Sequence, residues 1–182
     1  MGLPVSHFIA ATNQNNVVPE FLETGVYNPR PSVATLSNAM DVGAPSNFAR
    51  MLNLYGHMNG LDPLSPTAHA GMREVVTGYA YDDATTEQAV REVKDRFDYI
   101  IDPHGAIGYL ALTEWQKTHP NTRGVILETA HPSKFKPDVE RILDQEIEVP
   151  KRLAELEHRD KVATSMSTDY EPVRDWLRKK YA

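Results

Sequence analysis

The sequence lacks several features that define whole classes of protein. It contains no cysteine, which excludes disulfide bonds and thiolate metal sites and makes a cytoplasmic location the expectation. No apolar run approaches the roughly 20 residues of a membrane span, and Met1–Val5 has neither the basic flank nor the apolar core of a signal peptide. Acidic residues outnumber basic ones, 25 to 19, and the net charge of −6 argues against a nucleic-acid partner.

Catalytic signatures are also scarce. No His-Glu-x-x-His sequence or carboxylate cluster with ligand spacing occurs, so no metal site is predicted. Gly-x-Ser-x-Gly is absent, which leaves nucleophilic serine chemistry without support. Neither a Gly-x-Gly-x-x-Gly sequence nor a Walker-type phosphate loop is present.

What is present is the composition of an ordinary globular domain. The 182 residues are 41% hydrophobic and 24% charged, which is sufficient for one core. Short apolar runs alternate with segments whose apolar residues recur at helical spacing. This order predicts an α/β fold with a mostly parallel sheet flanked by helices. Strands are predicted at Val5–Ala11, Val75–Tyr81, Tyr99–Ile101 and Gly124–Leu127, with a possible last strand at Lys161–Ser165.

The predicted helices fill the intervals between these strands, and one long interval has no clear periodicity. Residues 57–74 combine Gly, Pro, His and Ser and are predicted to be a loop or an insertion. Helices are predicted at Asn16–Glu23, from a Ser46 cap to Gly56, from Thr85 or Thr86 through Phe97, from Ala106 to before Pro120, around Val139–Leu143, from Val149 to about His158, and at Tyr170–Lys180.

Polar side chains stand where three of the predicted strands end, at Thr12-Asn13, Asp102–His104 and Thr129–His131. The carboxyl ends of parallel strands meet at one edge of a sheet, where ligands bind. We therefore predict a polar cleft there and expect Thr129 to face a cofactor.

Other interpretations of these residues stay open. A histidine beside a proline, as at His131, is often a hydrogen-bonded turn residue, and Asp102 is a good cap for the helix that follows it. Gly105 and Gly108 open that helix, where its amino terminus could attract an anion or the glycines could allow close packing against a strand.

Five segments of the sequence together carry a family resemblance. They are Ala11–Asn16, Pro31–Asp41, Ser46–Arg50, Asp102–Gly108 and Glu128–Phe135, in this order. The set resembles the carboxy-terminal part of threonine synthase, an enzyme that makes threonine from O-phosphohomoserine with pyridoxal phosphate (PLP). Residues 1–182 are therefore expected to be that part, within a fold of the tryptophan synthase β type (fold type II).

The resemblance implies roles for particular residues. Thr129 is expected to place its hydroxyl against the pyridine nitrogen of PLP, because a neutral hydroxyl suits an unprotonated ring nitrogen. Asn38, Val42–Pro45 and Gly105 depart from the family's usual residues, which bears on substrate contacts. The remaining motif residues are candidates for lining the substrate cleft: Asn13, Ser37, Asp41, Ser46, Asn47, His104 and His131.

Two parts of the family's site have no match. The Schiff-base lysine, which the family carries in a Phe-Lys-Asp context, is missing, so no catalytic residue is assigned. The family's phosphate loop normally ends shortly before a Met-Gly-Leu-Pro segment, and Met1–Pro4 opens this sequence. The chain is thus expected to be a fragment that is inactive alone and capable of self-association through exposed apolar surface.

Two other functions remain alternatives. The first is a free-standing, non-catalytic domain that binds an anion or a partner chain. The second is a related PLP lyase that acts on another phosphorylated hydroxy-amino acid.

Overall fold

The computed structural model of the chain describes residues 4–157 and 159–181. In these ranges two strands pair in parallel, β1 (Phe8–Thr12) and β2 (Val76–Ala80), with Phe8 opposite Val76 and Thr12 opposite Ala80. Parallel strands need a long crossover connection. Three helices form it here: α1 (Val17–Thr24), α2 (Phe48–Tyr55) and α3 (Pro66–Val75).

Three further helices complete the first of two compact units, which runs to Glu148. They are α4 (Asp83–Phe97), α5 (Pro103–Thr118) and α6 (Lys136–Leu143), with short 3-10 helices at Asn38–Met40, His57–Asn59 and Pro132–Phe135. The predicted α/β class with a parallel sheet flanked by helices is confirmed.

Local chemistry sets the ends of these helices. Gly25 closes α1 with φ 77°, a left-handed conformation in which glycine has no Cβ penalty. Asp82 caps α4 by accepting from the backbone N–H of Thr85 at 2.8 Å. The predicted Ser46 cap is wrong, since α2 begins at Phe48 and Asn47 precedes it without a side-chain cap.

Two groups of buried side chains form the core of this unit. The first joins α1, α2 and α3 through Phe21, Phe48 and Met72, where the rings of Phe21 and Phe48 meet edge to face at 4.8 Å. The second joins α4, α5 and α6 through residues that include Val90 and Ile142. Most members of both groups stand at helical apolar spacing, whereas Val76 of β2 and Ile101 join from outside the helices.

Some predicted elements differ in the structure. Tyr99–Ile101 and Gly124–Leu127 belong to no helix or strand, and neither pairs with a neighbouring strand in the described ranges. Within the second segment Ile126 is half-buried against α5, whereas Val125 and Leu127 are 84% and 81% exposed. The predicted buried strand is therefore a segment outside regular secondary structure, with Ile126 alone half-buried.

The interval 57–74, predicted to be a loop or an insertion, contains a 3-10 helix and most of α3. Ser65 caps α3 by accepting from the backbone N–H of Ala68 at 3.3 Å, and Pro66 occupies its first position. The mixture of small and polar residues obscured a helix whose buried face consists only of Ala68 and Met72.

The second unit begins at Val149 and contains α7 (Lys151–Glu157) and α8 (Tyr170–Tyr181). No strand forms at Lys161–Ser165. The predicted helix end at His158 lies outside the described residues. Within the ranges described, no helix combines the length and apolarity needed to cross a membrane.

Candidate functional site

A closed hydrogen-bond network lies just beyond the carboxyl end of β1. Asn13 is fully buried, and its amide nitrogen lies 2.8 Å from Thr35 Oγ1 and 2.9 Å from Asp41 Oδ1. Its side-chain oxygen accepts from the backbone N–H and the side-chain amide of Asn15, each at 2.9 Å. Both polar atoms of the Asn13 side chain are thus engaged inside the protein.

Asp41 and Ser37 complete this network. Asp41 Oδ1 accepts from Thr35 Oγ1 at 2.7 Å, and Asp41 Oδ2 accepts from the backbone N–H of Thr35 at 3.0 Å. Ser37 is buried, with its hydroxyl 3.1 Å from the Asn13 amide. The structure therefore brings three predicted cleft residues together, and their mutual bonds fasten the 33–41 segment to the end of β1.

A second polar group stands at the amino end of α5. Asp102 is fully buried and caps the helix, since its Oδ1 accepts from His104 N at 2.9 Å and from His104 Nδ1 at 2.6 Å. His104 Nε2 accepts from the backbone N–H of Ala39 at 3.2 Å, which leaves the ring hydrogen on Nδ1. His104 thereby joins α5 to the segment that carries Ser37 and Asp41.

The segment before Thr129 brings a second carboxyl group to this point. The Glu128 carboxyl packs over Gly105 in the first turn of α5, where any Cβ would overlap it, and this brings it beside the Asp102 side chain. Glu128 is exposed as a whole residue, but partial burial of its carboxyl, and then the contact with Asp102, raise its pKa to about 8. For Asp102 burial acts in the same direction, but the hydrogen bonds from His104 outweigh it and lower the pKa.

Thr129 and His131 lie on the surface beside this carboxyl pair. Thr129 is exposed, and its hydroxyl forms no hydrogen bond to the described part of the chain. His131 accepts from the backbone N–H of Ser133 at 3.2 Å and caps the 3-10 helix that begins at Pro132, as expected of a turn histidine. The ring of Phe135 then packs on that of His104 at 4.8 Å.

The three predicted strand ends therefore do lie close together. Ala39 connects the end of β1 to His104, and Asp102 connects α5 to Glu128. Ser46 and Asn47 are different, because they are exposed at the start of α2 and no side-chain hydrogen bond in the described ranges links them to this group.

Sequence reasoning missed two participants in the network and one in the carboxyl pair. Asn15 and Thr35 lie within segments that carry the family resemblance, but neither was predicted to form these hydrogen bonds. Glu128 was identified only as the neighbour of Thr129. The signal that could have identified Glu128 is its position at the end of one predicted strand, while Asp102 follows the predicted strand before it. Gly105, in the first turn of α5, leaves space for the Glu128 carboxyl.

Comparison with known proteins places the chain beside one enzyme family. A family model described as "Threonine synthase, C-terminal" matches residues 105–177. Threonine synthase of Escherichia coli (strain K12) is 40% identical over 174 residues, 96% of this chain and 37% of the relative. The Serratia marcescens enzyme is 44% identical over 154 residues, 85% of this chain and 33% of the relative. The chain thus spans well under half the length of these relatives.

Solved structures are similar over nearly the whole chain. The crystal structure of threonine synthase from Escherichia coli has a TM-score of 0.75 at 38% identity, covering 98% of this chain and 39% of that one. A PLP-bound threonine synthase from Brucella melitensis has a TM-score of 0.76 at 28% identity, covering 98% of this chain and 41% of that one.

Proposed function

Because the chain is similar to the carboxy-terminal part of threonine synthase along nearly its whole length, we propose that it performs that part's work. The reaction proposed is the conversion of O-phosphohomoserine and water to threonine and phosphate, with PLP as cofactor, in the cytoplasm. The observation that carries the proposal is the continuous similarity, which includes all the elements around the carboxyl pair. The whole protein's substrate is taken from the family and is part of the proposal.

Thr129 is the residue proposed to contact PLP. Its hydroxyl is exposed and makes no hydrogen bond within the described ranges, so it can donate to a ring nitrogen without breaking an existing bond. A neutral donor stabilises an unprotonated pyridine nitrogen, whereas a carboxylate would hold a proton there. When bound, PLP supplies the electron sink for the reaction, and this chain orients it at one atom.

The buried polar residues are proposed to support this contact from behind. Asn13, Ser37 and Asp41 use their polar atoms on one another, which fits a role in holding the cleft wall in place. The roles proposed earlier for His104, His131, Ser46 and Asn47 as substrate contacts remain predictions. His104 has both ring nitrogens engaged, so a substrate contact there would have to replace the bond to Ala39.

The experiment joins this chain to the amino-terminal segment of the Escherichia coli enzyme, in place of the segment that it matches. We expect this chimaera to bind PLP and to release phosphate from O-phosphohomoserine. The 182 residues alone are expected to do neither, since no lysine in them has the family's Phe-Lys-Asp context.

Two results would favour the alternatives. A chimaera that binds PLP but accepts only another phosphorylated hydroxy-amino acid would support the related lyase. A chimaera that folds without binding PLP, while the 182 residues bind an anion or a partner chain, would support the non-catalytic domain.

A further inference from the structure

Asp102 has one oxygen without a conventional partner. Its Oδ1 accepts both hydrogen bonds from His104, whereas its buried Oδ2 has no hydrogen-bond partner among the described residues. A buried carboxylate oxygen left unpaired is costly, so this position calls for a donor.

The group in contact with Asp102 is itself a carboxyl. Glu128 reaches across the open first turn at Gly105 and brings its carboxyl beside that of Asp102. Two carboxylates are both acceptors, so a hydrogen bond between them requires a proton on one. The two bonds from His104 and the amino end of α5 favour the charge on Asp102, which leaves the proton on Glu128.

We propose that Glu128 and Asp102 share one proton, with the Glu128 O–H donating to Asp102 Oδ2, and that this bond positions Thr129 at the amino end of α5. A hydrogen bond to a charged acceptor is short and roughly twice as strong as a neutral one. It anchors residue 128, and Thr129 follows directly. The contact of Phe135 with His104 anchors the other end of the same segment. Glu128 is a positioning residue, and only its consequence for PLP rests on the proposed function.

The pair also gives the segment a pH dependence. The titratable groups that face Glu128 are Asp102 and Tyr99, and behind Asp102 stands His104. Loss of the shared proton leaves two carboxylates in contact, so the Glu128–Thr129 segment should detach from α5. The raised pKa of Glu128, due to burial and then to Asp102, places this change at about pH 8.

The first test needs neither cofactor nor substrate. Carbon-13 NMR of labelled glutamate carboxyls follows their titration in the chain, and the amide signal of Thr129 reports the segment. We expect one glutamate to titrate near pH 8, with the Thr129 signal moving at the same midpoint. Ordinary midpoints for every glutamate, or a Thr129 signal that ignores the titration, would overturn the proposal.

Two variants separate the proton from the packing. Glu128→Gln keeps an N–H donor and cannot ionise, so the high midpoint should vanish and the Thr129 signal should stay at its low-pH position throughout. Gly105→Ala adds a Cβ where the Glu128 carboxyl lies, so the midpoint should fall towards the ordinary glutamate range while both acids remain. Glu23→Gln, on the exposed face of α1, is the matched control and should leave the high midpoint unchanged.

The second test concerns the cofactor and uses the chimaera. If only the protonated pair holds Thr129 in place, PLP should bind about tenfold more weakly one pH unit above the midpoint, because about a tenth of the molecules are competent. Glu128→Gln should abolish this loss of affinity relative to the parent. A glutamate that titrates near pH 8 in a chimaera that does not bind PLP would support the shared proton and refute the proposed function. A chimaera that binds PLP without such a glutamate would support the proposed function and refute the shared proton.

Discussion

Asn13→Asp is the substitution that probes the network beyond β1 most sharply. It preserves the size and shape of the side chain but replaces the Nδ2 donor with an oxygen. In the parent, Nδ2 lies 2.8 Å from Thr35 Oγ1 and 2.9 Å from Asp41 Oδ1. The Thr35 hydroxyl can turn to donate to the new oxygen, whereas the Asp41 carboxylate can only repel it.

The expected cost follows from these contacts. Losing a hydrogen bond to a charged group costs about 1.5 to 3 kcal/mol, and a second charge beside Asp41 in a fully buried position adds to it. We therefore expect the free energy of unfolding to fall by about 3 to 5 kcal/mol near neutral pH. Asn121→Asp, at an exposed turn, is the matched control and should change it by less than about 0.5 kcal/mol.

Urea unfolding followed by circular dichroism at about pH 7 and about pH 4 measures both values. The introduced carboxyl should have a raised pKa in the folded state, so its destabilisation is smallest at low pH and grows as the pH rises. At about pH 4 the cost should be smaller by at least about 1 kcal/mol. If Asn13→Asp matched the Asn121→Asp control at both values of pH, the closed network would be refuted.

Three further changes have defined outcomes. Thr129→Ala in the chimaera should weaken PLP binding about five- to tenfold in equilibrium dialysis, because one neutral hydrogen bond is lost, whereas Thr129→Ser should retain the affinity. If Thr129→Ala bound PLP as tightly as the parent, the assignment would be contradicted. The pKa of Glu128 is raised from 4.5 to about 8, so its stabilising contribution is complete below about pH 4.5 and is lost as the pH rises through about 8. Between about pH 5 and 9 the free energy of unfolding of the parent should therefore fall by about 1 to 2 kcal/mol relative to that of Glu128→Gln, a value already reduced for solvent screening. If the two proteins showed the same pH dependence in urea unfolding, this prediction would be wrong. Phe21→Ala should lower the free energy of unfolding by about 3 to 5 kcal/mol, whereas Val33→Ala, at an exposed position, should change it little. A small effect at Phe21 would mean that the core around α1 is misplaced.

The paired strands and the helices other than α3 were predictable because each carries its own signal. The spacing of Val17, Phe21 and Leu22 placed α1, and Gly25 marked its end with a residue suited to left-handed backbone. The prediction of a strand at Val75–Tyr81 also succeeded, since β2 occupies Val76–Ala80 within it. Asp102 likewise indicated the start of α5, because aspartate is a good helix N-cap.

The predicted strands that did not form share a physical cause. Gly124–Leu127 has the composition of a buried strand, but a strand exists only when another strand accepts its hydrogen bonds. In the described ranges it has α5 on one side alone, where Gly108 allows Ile126 to approach closely. Apolar composition alone therefore predicts neither the pairing of such a segment nor its burial.

The candidate site was predictable in place but not in detail. Polar residues at strand ends identified the edge at which Asn13, Asp102 and Glu128 gather. Which atoms bond, however, depends on side-chain geometry across segments far apart in the chain, such as Asn13 with Asp41. The sequence could not reveal that the histidine at 104 faces a backbone N–H, or that Glu128 faces Asp102.

The most direct test of the proposed function is threonine formation by the chimaera. With O-phosphohomoserine and PLP present, it should produce threonine and phosphate in equal amounts, and omission of either segment should abolish both products. A folded, PLP-binding chimaera that forms no threonine from O-phosphohomoserine would contradict the assignment of this chain to that reaction.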